Sequence, residues 1–241
     1  MDLSEQQRPP TPYRGRFAPS PSGLLHFGSL VTALASFLQA KSQQGHWLVR
    51  IEDIDPPREQ AGASSTILKT LDLFGLHWDE DVLYQSKQHE LYQDVLSSLA
   101  SKEIIYHCQC TRAQIKEIGG IYQGHCLNLA LNQKDCATRL INENPRFQFL
   151  DAIQGKVNCD KAIAAEDFIL VRKDGLFAYQ LAVVIDDIYQ GITQIVRGCD
   201  LLEPTARQLS FYSCLQTLMQ AENTTIDYQD NVLTNQLNTI L

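Results

Sequence analysis

Residues 13–52, YRGRFAPSPSGLLHFGSLVTALASFLQAKSQQGHWLVRIE, decide the fold. Residues 13–18 read as a strand with Arg14, Arg16 and Ala18 on one side. Residues 19–27 are rich in Pro, Ser and Gly and read as a loop. Residues 28–41 place Leu30, Leu34, Phe37 and Leu38 at helical spacing, and Gly45 closes the segment. Residues 46–51 (HWLVRI) form a second strand, with Trp47, Val49 and Ile51 facing one way and Leu48, Arg50 and Glu52 the other. Strand, helix and strand at this spacing make a βαβ unit, which predicts an α/β fold on a parallel sheet. Ligands of such sheets sit at the carboxyl ends of the strands, where Arg16 and Glu52 fall.

Working outward, residues 1–12 are polar with three prolines and read as a flexible tail. Helices are expected over residues 58–74, after Pro56 and Pro57, and over residues 88–101. Residues 105–165 break the rhythm with a cysteine cluster, an Asn-rich stretch and an alternating run at 146–149. Residues 168–178 read as a hairpin around the Lys173-Asp174-Gly175 turn. A helix is expected from near Tyr179, a strand over residues 194–197 that ends on Arg197, and a helix from about Pro204. The domain plan is a half-domain over 13–104, an insertion over 105–175, and a second half over 176–241.

In the 241 residues, Asp+Glu outnumber Lys+Arg 28 to 20, for a net charge of −8. That balance argues against non-specific coating of nucleic acid, which requires a broad cationic face, and leaves room for one specific RNA partner. No apolar run reaches the ~20 residues of a membrane span, and the N-terminus lacks the apolar core of a signal peptide. A cytoplasmic, membrane-free protein is expected, and a monomer. Seven cysteines in a reducing compartment argue against a disulfide scaffold.

Three segments carry candidate chemistry. His26-Phe27-Gly28-Ser29 opens a helix, where backbone N–H groups and a histidine can meet phosphate. Taken by itself, this pattern is more readily a plain loop and capped helix. Residues 52–59 pack acids at a strand end, and Glu52 could bind an ammonium group, although most such runs are solvated turns. Cys108, Cys110 and Cys126 crowd together in the pattern C-x-C-x11-Y-x3-C, with Tyr122 as the Y. Three thiolates suit a structural zinc that wants four ligands, and chemistry alone favours His107 or His125 as the fourth. Cys136, Cys159, Cys199 and Cys214 are expected as small buried apolar residues. Asp186-Asp187 is expected as a solvent-facing pair at a helix end.

Together, residues 16–30 (RFAPSPSGLLHFGSL), 50–59 (RIEDIDPPRE), 175–187 (GLFAYQLAVVIDD) and 195–208 (IVRGCDLLEPTARQ) resemble the glutamate branch of the class I aminoacyl-tRNA synthetases. The likeness covers roughly residues 13–213, with several long motifs in order. It implies a Rossmann catalytic domain interrupted by a zinc-bearing insertion. His26, Gly28 and Ser29 would belong to the HIGH-type signature. Arg16, Phe17, Ala18, Pro19, Ser20, Glu52, Tyr179 and Arg197 would form a pocket for L-glutamate, and Tyr122 would be the fourth zinc ligand. Within the branch the likeness is to a short paralogue without an anticodon-binding domain. That implies ATP-dependent activation of glutamate, with Mg²⁺ accompanying ATP, and transfer to queuosine in the anticodon of tRNA(Asp). Guanidinium forks for carboxylate and an acid for ammonium agree with such a substrate.

The sequence departs from that pattern after about residue 213. The second family signature, KMSKS (KLSKQ in the short paralogue), is absent from residues 214–241, and no lysine follows Lys173. Such electrostatic groups are commonly worth a factor of ~10²–10³ in rate. The expectation is therefore a truncated or divergent C-terminal part and impaired activation. The alternatives are a glutamate- or RNA-binding remnant and a fragment of a glutamyl-tRNA synthetase.

Overall fold

A computed structural model describes residues 12–221 and 237–239. Residues 1–11 of the expected tail lie outside the described residues, as do residues 222–236 and 240–241 of the divergent C-terminal part.

The predicted βαβ unit is present. Strand β1 (Arg14–Phe17) leads through a loop into helix α1 (Phe27–Ser42), and strand β2 (His46–Ile51) pairs parallel to β1, with Arg16 opposite Leu48. The turn between α1 and β2 passes so close to Tyr13 that a Cβ on Gly45 would stand 2.3 Å from the Tyr13 carbonyl oxygen, which accounts for the glycine. A short strand β3 (Leu83–Tyr84) adds to the far side of β2, also parallel. Trp47, Val49 and Ile51 join the core with α1 and helix α2 (Ala63–Leu73), while Leu48 and Arg50 are buried on the other face.

Two details of this unit differ from expectation. Helix α1 buries Ala33, Ser36 and Ala40, whereas Leu34 and Leu38 are exposed. Small residues let the helix lie close on the sheet, and the indole Nε1 of Trp47 donates to Ser36 Oγ at 2.8 Å. Helix α2 begins at Ala63 rather than near residue 58, because Pro56–Arg58 forms a separate 3-10 turn and Gly62 takes a left-handed φ of 80°.

Helix α3 (His89–Ser101) precedes strand β4 (Ile105–Cys108), the short helix α4 (Arg112–Glu117) and strand β5 (Ala137–Leu140). Next come the hairpin β6 (Gln148–Asp151) and β7 (Gly155–Asn158), the short helix α5 (Lys161–Ala165) and strand β8 (Ile169–Val171). Strands β4, β5 and β8 form a separate antiparallel sheet. The expected turn at 173–175 is closed by Gly175 N donating to the Arg172 carbonyl at 3.0 Å.

Helix α6 (Tyr179–Tyr189), strand β9 (Ile195–Arg197) and helix α7 (Leu202–Ala221) fall where the sequence places them. Strand β10 (Leu237–Thr239) lies parallel to both β9 and β6, and so links the β6–β7 hairpin to β9. Thr193 N donates to the Arg14 carbonyl at 2.8 Å just ahead of β9. Strands β1 and β9 thus start side by side, and Arg16 and Arg197 reach the same edge. A second core, built from Tyr92, Leu99, Leu170, Leu181 and Phe211, joins α3, β8, α6 and α7. Among the described residues, no helix is long and apolar enough to cross a membrane.

Candidate active site

Four residues far apart in sequence converge near the carboxyl ends of β1, β2 and β9, the last of which belongs to the neighbouring β7-β6-β10-β9 sheet. Arg16 comes from β1, Glu52 from the end of β2, Tyr179 from the first turn of α6 and Arg197 from the end of β9. Arg16, Glu52 and Arg197 are 3%, 9% and 4% exposed. Ionised groups this deep demand partners. Arg16 donates from Nε and Nη2 to the two carboxylate oxygens of Asp187, at 2.9 and 3.2 Å. Arg50, fully buried, donates from Nη1 to Asp187 at 2.7 Å and from Nη2 to Glu52 at 3.4 Å. Asp186 accepts from Tyr92 Oη at 2.8 Å and from Gln85 Nε2 at 2.7 Å.

Arg197 differs from Arg16 and Arg50 in its partners. Its Nη1 donates to Gln208 Oε1 at 2.6 Å, its Nη2 reaches Thr205 Oγ1, and Tyr179 bonds it as well. All three partners are neutral, and Nε has no partner among the described residues. Burial lowers the Arg197 pKa and the nearby Arg16 charge adds to that effect, against the opposing pull of Tyr179 and Asp187. The arginine is thus poised to gain from an incoming anion. Tyr179 is raised, first by burial and then by Glu52, which puts Glu52 in the same neighbourhood. Burial also raises Glu52, against the opposing pull of Arg50 and Arg16. Burial pushes Asp187 upward too, but Arg16 and Arg50 outweigh it and hold its carboxyl below the usual range.

The 16–20 loop supplies the wall. Phe17 and Pro19 are buried, Ala18 is half-buried and Ser20 is exposed. Glu52 N donates to the Pro19 carbonyl at 3.0 Å and ties this loop to the end of β2. Beyond it, His26 caps α1: its Nδ1 accepts from Ser29 N at 3.2 Å, and its Nε2 lies 3.1 Å from Ser29 Oγ. His26 and Gly28 are exposed, so this helix start is an open, polar end next to a closed, charged one.

In the cysteine segment, the sulfurs of Cys108, Cys110 and Cys126 lie within 4.8 Å of one another. Tyr122 Oη accepts from Cys126 N at 2.8 Å and also contacts Cys108. His107 instead places Nδ1 3.4 Å from Thr138 Oγ1, and the His125 ring centroid lies 5.9 Å from that of Tyr122. Burial and the neighbouring thiols push Cys110 up to about 12. Burial also acts to raise Cys126, but a backbone hydrogen bond from Gln109 and the side-chain bonds of Cys110, Tyr122 and Cys108 hold it below its usual value. A donor set of three sulfurs and one phenol oxygen fits a cation that accepts soft and hard ligands together, as zinc does.

Residues 13–236 match the family model described as tRNA synthetases class I (E and Q), catalytic domain. The chain belongs to this family. Among curated proteins of the family, the glutamyl-Q tRNA(Asp) synthetase of Colwellia psychrerythraea is 65% identical over 209 residues, covering 84% of this chain and 66% of that protein. The protein of the same name from Escherichia coli K12 is 57% identical over 202 residues, with the same shares covered. The one from Vibrio cholerae is 58% identical over 208 residues, covering 86% of this chain and 68% of that protein. The chain thus spans 66% of the length of the first two of these relatives. The glutamate-tRNA synthetase structure from Elizabethkingia anophelis superposes with a TM-score of 0.74 at 24% identity, covering 95% of this chain and 50% of that one. That likeness shows the shared class I synthetase fold.

The class I fold explains what the sequence concealed. Asp186 and Asp187, expected at a solvent-facing helix end, are buried, because α6 packs with both charged residues turned toward Arg16, Arg50 and Tyr92. The alternation of β2 put Arg50 on one face with Glu52, but did not tell that Asp186 and Asp187 would meet it there. Gln85, Thr205 and Gln208 gave no comparable sign. Of the four cysteines expected to be buried, Cys136, Cys159 and Cys214 are half-buried and Cys199 is exposed. Cys199 follows Gly198 in a 3-10 turn ahead of α7, where the chain is at the surface.

Proposed function

We propose that the chain binds L-glutamate between Arg16, Glu52, Tyr179 and Arg197 and activates it with ATP, accompanied by Mg²⁺, as glutamyl-adenylate. The observation that carries this is Arg197, a buried guanidinium with neutral hydrogen-bond partners and an unpaired Nε, next to a Tyr179 that also feels Glu52. A carboxylate supplies the missing anion, and Glu52 receives the ammonium group. The reacting α-carboxylate then points toward the open end, where His26 and the first turn of α1 offer N–H donors to phosphate. Its attack on the α-phosphate releases pyrophosphate, and the protein's contribution is alignment and charge stabilisation. The names of the relatives support transfer of the glutamyl group to queuosine in tRNA(Asp). Cys108, Cys110, Tyr122 and Cys126 would hold one structural Zn²⁺ that stitches the loop between β4 and β5.

Glutamate-dependent exchange of pyrophosphate into ATP tests the reading. Exchange above a His26→Ala control is the expected result, and none would refute activation. Heat of glutamate binding without exchange would instead assign the chain to the second reading raised by residues 214–241, binding without activation. Labelling of tRNA(Asp) that depends on queuosine separates the proposed acceptor from tRNA(Glu).

A further inference from the structure

The antiparallel register of β4 and β5 sorts the side chains beside the cysteine segment onto two faces. Tyr106 lies opposite Arg139 and Cys108 opposite Ala137, so these four share one face, while His107 and Thr138 share the other. The face that carries Cys108 therefore also carries a buried cation. The Arg139 guanidinium carbon stands 3.7 Å from the centroid of the Tyr122 ring, and Tyr106 stacks on the same ring with centroids 6.5 Å apart. Arg139 Nη1 donates to the Asp167 main-chain carbonyl at 2.6 Å, and Nε has no partner among the described residues. The Glu166 carboxylate lies 3.9 Å from Arg139 and is already engaged by Arg207 at 2.5 Å. A guanidinium this deep, with so few hydrogen bonds, calls for a further source of negative charge.

The cysteine cluster is that source. Three thiolates around a divalent zinc leave one negative charge over, in a site where Cys108, Tyr122 and Cys126 are buried. The face of an aromatic ring is its negative part, and a desolvated cation over it is held strongly. We propose that Arg139 is a positioning residue of the metal site: its guanidinium, stacked on Tyr122, holds that ring with its oxygen directed at the cysteine sulfurs. This rests on the zinc reading and adds to it a residue that itself ligates nothing. Cys126 N, which donates to Tyr122 Oη at 2.8 Å, fixes the oxygen end of the ring, and Arg139 fixes its face.

The test is competition for zinc between the full chain and a chromophoric chelator. Arg139→Gln keeps a donor for the Asp167 carbonyl and loses the cation. It is expected to hold zinc at least about tenfold more weakly than wild type, as changes to groups behind metal ligands commonly do. Arg139→Lys keeps a cation over the ring and is expected to stay within about threefold of wild type. Tyr122→Leu removes the ring through which Arg139 acts, so on that background Arg139→Gln should change zinc affinity by about threefold or less. Unchanged affinity in Arg139→Gln, equal loss in the glutamine and lysine variants, or an undiminished effect on the Tyr122→Leu background would each overturn the assignment. Should Arg139→Gln not fold, Arg139→Lys decides, and a loss beyond about threefold overturns it. Absence of zinc from the wild-type chain would bring down the zinc reading and this assignment with it, whereas zinc held equally well by Arg139→Gln brings down the assignment only.

Discussion

Asp187 holds Arg16 through both carboxylate oxygens, at 2.9 and 3.2 Å, while the neighbouring Arg197 is held by neutral side chains. The two arginines should therefore respond differently to truncation. Arg16→Met leaves a buried carboxylate short of a partner, and breaking such a pair costs about 3–5 kcal/mol of stability. Arg197→Met removes a buried charge that no carboxylate hydrogen-bonds among the described residues, so urea unfolding should show a smaller loss than Arg16→Met. Its effect should fall on binding instead: losing a buried charge partner costs about 2–5 kcal/mol of affinity, at least about 30-fold for glutamate. Equal destabilisation by both substitutions would contradict this division of labour.

Acidification should end binding before it ends folding. Burial raises Glu52 above its ordinary 4.5, so its charge is lost early as pH falls, and with it the proposed receptor for the ammonium group. Asp187 is shifted the other way by Arg16 and Arg50, despite its burial. A carboxyl with a depressed folded pKa contributes stability in full above its unfolded pKa and loses it only as pH drops through the folded value. Calorimetric glutamate titrations run beside far-UV circular dichroism should show affinity falling at a pH where the fold is intact. Coincident loss of both signals would count against the assignment of Glu52.

Much of this site was legible in the sequence because the βαβ pattern fixes which residues reach the sheet edge. Alternation in β2 turns Arg50 and Glu52 away from Trp47, and α6 and β9 begin and end at residues readable from the hairpin before them and the proline after. The pairing of charges was not legible. Whether Asp187 faces solvent or Arg16 depends on how α6 rolls against β1 and β2, a tertiary choice that local pattern does not encode. The same limit explains α1, whose apolar spacing at Leu34 and Leu38 suggested a buried stripe, although the helix packs through Ala33, Ser36 and Ala40.

The cysteine segment gives a prediction about metal removal. Protein purified without chelator should carry about one zinc per chain. Cys110→Ser should lose the metal. Tyr122→Phe should retain it with weaker affinity, because three thiolates remain and water can take the fourth position. His107→Ala should leave the metal content unchanged, since His107 faces Thr138 rather than the sulfurs. Chelation should lower the melting temperature of wild type and leave that of Cys110→Ser where it began. Elemental analysis showing no zinc in the wild-type protein would dispose of the site.

A last prediction concerns the contact that lets α1 lie close on β2. Ser36 Oγ accepts from the Trp47 indole at 2.8 Å and donates to the Ala33 carbonyl at 2.9 Å, with both side chains shut off from water. Ser36→Ala strands a buried indole N–H, an omission that costs about 1–3 kcal/mol. Trp47→Phe removes the donor but leaves a void where the larger ring stood, with its own cost. In the double variant the stranded donor is gone, so Ser36→Ala should cost less on the Trp47→Phe background than alone. A coupling energy of about 0.5 kcal/mol or more in urea unfolding is expected for side chains in contact. Strict additivity would mean that the helix is held to the strand by shape alone. In that case the hydrogen bond would do nothing to set the register of β2, and hence nothing to set the depth at which Arg50 and Glu52 enter the charged cluster.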